Sequence, residues 1–219
     1  MTMEKLTVLT GVAAPLLVPN VNTDVIIRIE RMSKHARGEL GPWALEALRL
    51  DGDGRERPEF ILNQAPFRDA RILLAGVNFG CGSSREMAVW ALQERGLSCI
   101  IAPSFGDIFF TNCLQNGVLA IRLPAATILR IATRVLRGGT DATLTVDLER
   151  QEIRHAGEVI AFDVEPLARH SLLLGLDPIA VTMQREPEII AFQDRDRLER
   201  PWLYNREQAG MGNVHAQRK

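Results

Sequence analysis

The sequence has few aromatic residues, almost no net charge and no long apolar run. Aromatic residues make up 5% of its 219 residues, so the core must be mainly aliphatic. Because 26 basic residues stand against 27 acidic ones, a broad basic surface for nucleic acid is excluded. No segment approaches the ~20 consecutive apolar residues of a membrane span. With 46% hydrophobic residues, the chain is expected to fold around a substantial core.

Cysteine is also scarce, and its spacing is wide. Cys81, Cys99 and Cys113 fit neither a disulfide framework nor a paired metal-binding motif. We expect Cys81 to pack beneath a turn and the other two to lie in the core. Since the N-terminus shows no apolar segment followed by a cleavage site, we expect a reducing, cytoplasmic location. We expect no metal ligated by this chain and no membrane contact.

The middle of the chain alternates between apolar runs and helical patterns. The runs at 71–77, 97–102 and 118–123 predict buried strands, and the segments between them predict helices. This order favours parallel strand pairing with right-handed crossovers.

Two pairs of residues predict where the intervening helices begin. Ser83 and Glu86 have the spacing of a capping box, so we expect a helix that ends just before Gly96, which is placed as its left-handed cap. Ser104 and Asp107 are a second candidate pair, for the following helix.

The rest of the chain predicts a small hairpin and further helices. Two strands are expected to pair as a hairpin across a polar connection at 151–157. We expect a single domain over 1–194 and a polar C-terminal tail at 195–219. The predicted elements are helices around 128–136, 166–175 and 187–193, and strands at 143–148 and 159–162.

A glycine-rich turn at residues 78–82, called the glycine turn below, follows the first of the buried strands and leads into a helix. Gly80 and Gly82 can adopt positive φ, which lets successive backbone N–H groups converge on an anion. The helix N-terminus adds about half a positive charge, and Arg85 can grip a carboxylate through two bonds. Ser83 and Ser84 place hydroxyls beside that anion. The turn therefore predicts a site for a small anionic molecule, although the same residues would also suit a simple turn and helix cap.

Three segments together resemble one known family. Residues 78–86, Asn-Phe-Gly-Cys-Gly-Ser-Ser-Arg-Glu, match the signature of the small subunit of 3-isopropylmalate dehydratase, the swivelling domain of the aconitase superfamily. Residues 20–27 and 172–184 resemble that family's N-terminal motif and closing segment. The resemblance covers about residues 6–194. It implies an α/β fold with three β/β/α layers and a parallel-cored sheet.

The resemblance implies that this chain is one subunit of an iron–sulfur hydro-lyase. Such enzymes isomerise 2-isopropylmalate and 3-isopropylmalate in leucine biosynthesis by removing and re-adding water, and the iron of a four-iron–four-sulfur cluster acts as a Lewis acid. Because the widely spaced cysteines of this chain cannot hold a cluster, it is expected in a separate large subunit. The implied partners are that large subunit, in a heterodimer or higher heteromer, and a malate-type dicarboxylate.

The resemblance also implies roles for individual residues, according to their positions in the matching motifs. Ser83 falls on the base that removes the proton α to a carboxylate, and Ser84 is the alternative. Asp24, with Thr23 beside it, falls on an acid–base network that faces the cluster domain. Ser84 and Arg85 fall on substrate-carboxylate contacts. A serine alkoxide needs a dry, electropositive pocket, which the glycine turn, the helix N-terminus and Arg85 would supply.

Two positions depart from the family pattern and leave the substrate open. Arg28 stands where the family has proline, at the start of a loop that lies over the variable group of the substrate, and Met87 replaces a histidine. Arg28 and Arg31 could grip an additional carboxylate. A small subunit for homoaconitate, citramalate or dimethylmalate is therefore one alternative, and a non-catalytic anion-binding module is another.

Overall fold

Seven strands of the described chain form one sheet. The computed structural model describes residues 3–82 and 85–204. The strands are β1 (Val8–Leu16), β2 (Ile72–Ala75), β3 (Cys99–Ala102), β4 (Leu119–Arg122), β5 (Thr143–Asp147), β6 (Glu152–His155) and β7 (Glu158–Ala161). Their order in the sheet is β4-β3-β2-β1-β5-β6-β7.

Helices and short 3-10 turns connect these strands. None of the described helices is long and apolar enough to cross a membrane. The helices are α1 (Thr23–Ile26), α2 (Ile29–Met32), α3 (Glu46–Arg49), α4 (Glu86–Glu94), α5 (Asp107–Gln115), α6 (Ala125–Val135), α7 (Pro166–Leu174), α8 (Pro178–Met183) and α9 (Glu186–Glu199). The 3-10 turns are Gly41–Trp43, Ile61–Asn63, Phe67–Asp69, Gly139–Ala142 and Pro201–Leu203.

Three of the four strands in the parallel half of the sheet are those that the sequence predicts. β1, β2, β3 and β4 are neighbours in parallel, with α4 and α5 in the crossovers. Every residue of β2 and β3 is buried, which accounts for their uninterrupted apolar sequences. Gly96, after α4, has a φ of 101°, so its predicted role at that helix end is confirmed.

The two predicted capping pairs are wrong, because residues 85 and 106 occupy the N-cap positions of the two helices. Arg85, not Ser83, is the N-cap residue of α4. The Glu86 carboxylate accepts a bond from Asn116 Nδ2 at 2.8 Å. At the next helix, Ser104 Oγ accepts a bond from the backbone N–H of residue 78, the first residue of the glycine turn, at 2.9 Å.

The antiparallel half contains a strand that the sequence analysis took for a connection. β5 was expected to pair with residues 159–162, but it pairs with β6, and β6 pairs with β7. Only Ile153 and His155 of β6 are buried. A single aliphatic residue among polar neighbours gives too weak an alternation to mark a strand.

β1 holds the two halves together, although the sequence analysis did not identify it. It pairs in parallel with β2 over Ala13–Leu16 and antiparallel with β5 over Val8–Val12. The predicted parallel core with additional strands is therefore confirmed, and those strands join the core by hydrogen bonds between β1 and β5.

The chain divides into two compact units, Met1–Asp177 and Pro178–Lys219. The first contains the sheet and α1–α7. In the second, α9 extends to Glu199, beyond the helix end predicted at residue 193, and Asp196 of α9 accepts a bond from Tyr204 Oη at 2.7 Å. Residues 205–219 of the predicted tail lie outside the described residues, and the division at residues 194–195 stays a prediction.

Candidate active site

The site is built on the carboxyl ends of the parallel strands. The chain that leaves β1 lies alongside the chain that leaves β2, and Asn22 and Cys81 form a parallel bridge. The chain after β2 does the same with the chain after β3, through a bridge between Phe79 and Phe105. The parallel pairing thus continues past the strands as loops. In α/β sheets this edge is where ligands bind.

The glycine turn has the backbone conformation that the sequence predicts. Gly80 and Gly82 have φ values of 70° and 92°. A Cβ on Gly80 would lie 2.2 Å from Cγ of the buried Phe109, so glycine is required there for space as well as for conformation. The turn is fixed to the loop after β1, because the Gly80 N–H donates to Val21 O at 2.7 Å.

Two charged residues, far apart in the sequence, meet beside this turn. Arg85 Nη1 donates to Asp24 Oδ1 at 2.9 Å. Arg85 is the N-cap residue of α4, and Asp24 lies in the first turn of α1. The side chains are 33% and 62% exposed, so the pair is open to solvent or to a ligand. The structure therefore brings two of the predicted site residues together.

Thr23 precedes Asp24 in the same short helix and is buried beside the glycine turn. It is 1% exposed, and its Oγ1 has no hydrogen-bond partner within the part of the chain that the structure describes. Oγ1 is 3.8 Å from the position that a Cβ on Gly82 would occupy. A buried hydroxyl without a partner costs about 1–3 kcal/mol. Thr23 thus lies beside the glycine turn, and its part in the site stays a prediction.

Asn22 sets the position of α1, and the sequence analysis missed this role. Its side-chain oxygen accepts a bond from the Val25 N–H at 2.9 Å, so Asn22 caps the helix that carries Thr23 and Asp24. The signal was present in the sequence, since asparagine directly before Thr-Asp-Val-Ile is a favourable helix start.

Arg28 and Arg31, in the loop that follows α1, both lie near the buried carboxylate of Glu46. Arg31 Nε lies 3.2 and 3.0 Å from the two oxygens of Glu46, which is 5% exposed. The Arg31 guanidinium also lies 3.6 Å from the centre of the Trp43 ring. Arg28 is 55% exposed, with Nε 3.6 Å from Glu46. Arg31 is therefore engaged within the protein, whereas Arg28 has most of its side chain free to contact a ligand.

The two predicted serines, Ser83 and Ser84, lie outside the described residues. Their neighbours on both sides are described. Gly82 ends the turn on one side, and Arg85 is the N-cap residue of α4 on the other. The prediction that Ser83 and Ser84 act as base and substrate contact stays a prediction.

Two of the three cysteines lie in the core, as predicted. Cys99 and Cys113 are fully buried, and burial raises the pKa of both thiols above their ordinary range. Cys81 is half-buried in the glycine turn. Within residues 3–82 and 85–204, no three or more His, Cys, Asp or Glu side chains are grouped so that they could hold a metal ion. The described donor groups therefore do not fit an iron–sulfur cluster.

Family models match most of the chain. The Aconitase C-terminal domain matches residues 3–126, and the LeuD_N model matches residues 135–166. The model for the C-terminal domain of the 3-isopropylmalate dehydratase small subunit matches residues 179–206. The first match spans the parallel strands, the glycine turn and the Asp24–Arg85 pair.

Individual relatives agree with these matches. The chain is 51% identical over 201 residues to the 3-isopropylmalate dehydratase small subunit of Rhodospirillum centenum, covering 91% of this chain and 98% of the relative. The corresponding protein of Paramagnetospirillum magneticum is 48% identical over 202 residues, covering 92% and 100%. A crystal structure of 3-isopropylmalate dehydratase from Methanocaldococcus jannaschii is 25% identical with a TM-score of 0.60, covering 85% of this chain and 99% of that one.

These matches confirm the predicted swivelling-domain fold of the aconitase superfamily. They also show which family the chain belongs to, because several relatives near 50% identity cover nine tenths of this chain. The chain belongs to the family of 3-isopropylmalate dehydratase small subunits.

Proposed function

We propose that this chain is the small subunit of a heteromeric iron–sulfur hydro-lyase that interconverts 2-isopropylmalate and 3-isopropylmalate by dehydration and rehydration. The observation that carries the proposal is the Arg85–Asp24 pair, which stands at the N-terminus of α4 beside the glycine turn. This arrangement suits a small dicarboxylate, because a cation and the N-terminus of a helix lie together at one edge of the sheet.

Arg85 is proposed to bind a substrate carboxylate, and Asp24 to hold Arg85 in place. The bond to Asp24 uses one of the five N–H donors of the guanidinium. A carboxylate can then approach the remaining donors while the side chain stays aimed by Asp24. The exposed Asp24 carboxylate is also available for the acid–base role that the resemblance assigns to it.

Ser83 is proposed as the base and Ser84 as a substrate contact, with Ser84 as the alternative base. A serine hydroxyl is a poor base in water, and an electropositive site makes its alkoxide more accessible. The residues that flank the serines supply such a site, since the glycine turn precedes them and Arg85 at the start of α4 follows. Thr23, whose buried Oγ1 lies beside the turn and has no hydrogen-bond partner among the described residues, is proposed as a substrate contact.

The iron–sulfur cluster is proposed to reside in the large subunit, where it would serve as the Lewis acid for the migrating hydroxyl. The basis is the donor set of this chain, since Cys99 and Cys113 are buried in the core and Cys81 stands apart in the turn. We also propose a cytoplasmic location, because free thiols are typical of proteins in reducing compartments.

The proposed substrate is 3-isopropylmalate, and Arg28 is proposed to lie at its variable end. No feature of the described residues favours homoaconitate, citramalate or dimethylmalate. Of the two arginines that motivated those alternatives, Arg31 is engaged by Glu46 and Trp43. This leaves Arg28 as a single exposed cation at the start of the loop.

The test is anaerobic purification of the chain together with the large subunit of its source organism, followed by assay on a panel of malates. Conversion of 3-isopropylmalate at the highest kcat/KM supports the proposal. Turnover of only homoaconitate, citramalate or dimethylmalate would overturn the proposed substrate and support a small subunit that acts on one of those acids. If the complex binds these anions but converts none, the enzymatic function is overturned.

A further inference from the structure

Asn116 bonds to three positions along one helix. It is 7% exposed and forms the C-cap of α5. Its Oδ1 accepts from Trp90 Nε1 at 2.8 Å, its Nδ2 donates to Glu86 Oε1 at 2.8 Å, and its backbone O accepts from Gln93 Nε2 at 2.9 Å. Residues 86, 90 and 93 lie on one face of α4. A single buried residue therefore holds the first, second and third turns of that helix.

The chemistry of these bonds requires an amide. The Trp90 indole can only donate, so the oxygen of the Asn116 amide must face it. The NH₂ group then faces two acceptors, the Glu86 carboxylate and the backbone O of Asn112 at 2.9 Å. An aspartate would keep the bond to Trp90 but would turn a second acceptor toward those two oxygens.

The helix held in this way carries the site at its N-terminus. Glu86 directly follows Arg85, and among the described residues no side chain caps this end of α4. At its other end, α5 touches the glycine turn itself, because the Gly106 N–H donates to Phe79 O at 2.9 Å. A Cβ on Gly106 would lie 2.6 Å from Gly80 O. α5 thus contacts both the turn and the helix that follows it.

We propose that Asn116 is a positioning residue for the reaction. Through Glu86 it fixes the start and the rotation of α4, and with them the direction in which Arg85 meets the substrate carboxylate. Asn116 itself does not touch the substrate. This inference rests on the proposed function, because Arg85 must first be shown to act in a catalysed reaction.

The experiment measures steady-state kinetics of the assembled two-subunit enzyme on 3-isopropylmalate. Asn116→Asp is expected to lower kcat/KM by about 10- to 100-fold, since small displacements of a substrate-orienting group carry losses of this size. Adding Glu86→Gln should recover about tenfold, because the new amide donates to the new carboxylate and restores the bond in reverse. The bond to Asn112 O is not restored, so recovery is partial.

The matched control is Asn63→Asp. Asn63 is 8% exposed, and its Nδ2 also donates to two carbonyls, those of Arg49 and Arg57 at 2.9 and 2.8 Å. Neither of these partners belongs to α4. Asn63→Asp is expected to lower the melting temperature about as much as Asn116→Asp, with kcat/KM within about twofold of wild type. Equal kinetic losses in the two variants would overturn the positioning role.

A second pair of variants avoids the buried position. The Glu86 side chain is at the surface, so Glu86→Ala should fold normally and lower kcat/KM by about tenfold, whereas Glu86→Gln keeps an acceptor for Asn116 and should remain within about twofold. Equal activity of Glu86→Ala and wild type would overturn the inference. Absence of turnover in the wild-type complex would instead overturn the proposed function.

Discussion

The two halves of the sheet differ in strand direction and in how completely their strands are buried, although β1 belongs to both. In the parallel half, β2 and β3 are buried along their whole length. In the antiparallel half, β6 and β7 alternate between inward and outward residues, and β7 has no fully buried residue. The described site residues Thr23, Asp24 and Arg85 all follow strands of the parallel half.

This difference shows why the site residues lie in the parallel half. Parallel strands end at one common edge, so the loops that leave β1, β2 and β3 are neighbours even though they are far apart in the sequence. Antiparallel strands end alternately at opposite edges, so consecutive connections do not meet. The antiparallel half therefore extends the sheet, while the parallel half assembles the site.

The largest expected effect comes from comparing a buried residue of the parallel half with an exposed residue of the antiparallel half. Leu73→Ala in β2 removes a fully buried side chain and should lower the free energy of unfolding by about 2–5 kcal/mol. Val159→Ala in β7, whose side chain is largely exposed, should change it by about 0.5 kcal/mol or less. Denaturant unfolding measures both. Similar losses would show that burial of the side chain does not account for the difference between the two positions.

The second prediction compares one arginine from each half. Arg85→Lys keeps the charge but loses the planar fork, so kcat/KM of the assembled enzyme should fall by about 10- to 100-fold. Arg154→Lys in β6 alters a similar ion pair, 3.2 Å from Asp147, and should leave kcat/KM within about twofold. An unchanged Arg85→Lys enzyme would contradict the carboxylate-binding role.

The third prediction compares two glycines with similar backbone angles. Gly157, between β6 and β7, has a φ of 79° and open space around it, so Gly157→Ala should cost about 1–2 kcal/mol of stability and no activity. Gly80→Ala meets the ring of Phe109 as well and should cost about 1–3 kcal/mol more. Loss of turnover below the melting temperature is also expected, because the turn must move. Equal effects of the two substitutions would contradict the role assigned to Gly80.

The smallest effect is a pH dependence confined to the antiparallel half. The Arg130 guanidinium donates to Glu158 and holds the pKa of that carboxyl below its ordinary value. A depressed pKa stabilises the folded state above the unfolded-state pKa, and this contribution is lost as the pH falls through the folded-state pKa. Glu158→Gln should therefore be less stable than wild type at pH 7, with the difference shrinking below about pH 4.

Thermal melting across this pH range measures that difference, and the exposed Glu149→Gln is the matched control. Neither substitution should change kcat/KM at neutral pH, because both residues belong to the half without site residues. A difference in stability that stays constant down to about pH 2 would show that the Arg130–Glu158 pair is not the cause.

Local patterns in the sequence predicted β2, β3 and β4 of the parallel half, but not β1. The continuous apolar runs that became β2 and β3 and the positive φ of Gly80, Gly82 and Gly96 follow from steric and burial rules that act over a few residues. The same approach failed for β6, whose single buried aliphatic residue carries too little pattern. It also failed for Ser104 and Glu86, whose hydrogen-bond partners lie 26 and 30 residues away.

The sequence by itself determined the family, the apolar core and the residue types present in the site. Only the tertiary structure decided how those residues combine. Asp24 and Arg85 are 61 residues apart and meet because β1 and β2 end side by side at one edge of the sheet. Asn116 reaches α4 because the crossover returns α5 to the same region. Local propensity reflects short-range sterics and burial, whereas these contacts depend on strand order, which no single segment encodes.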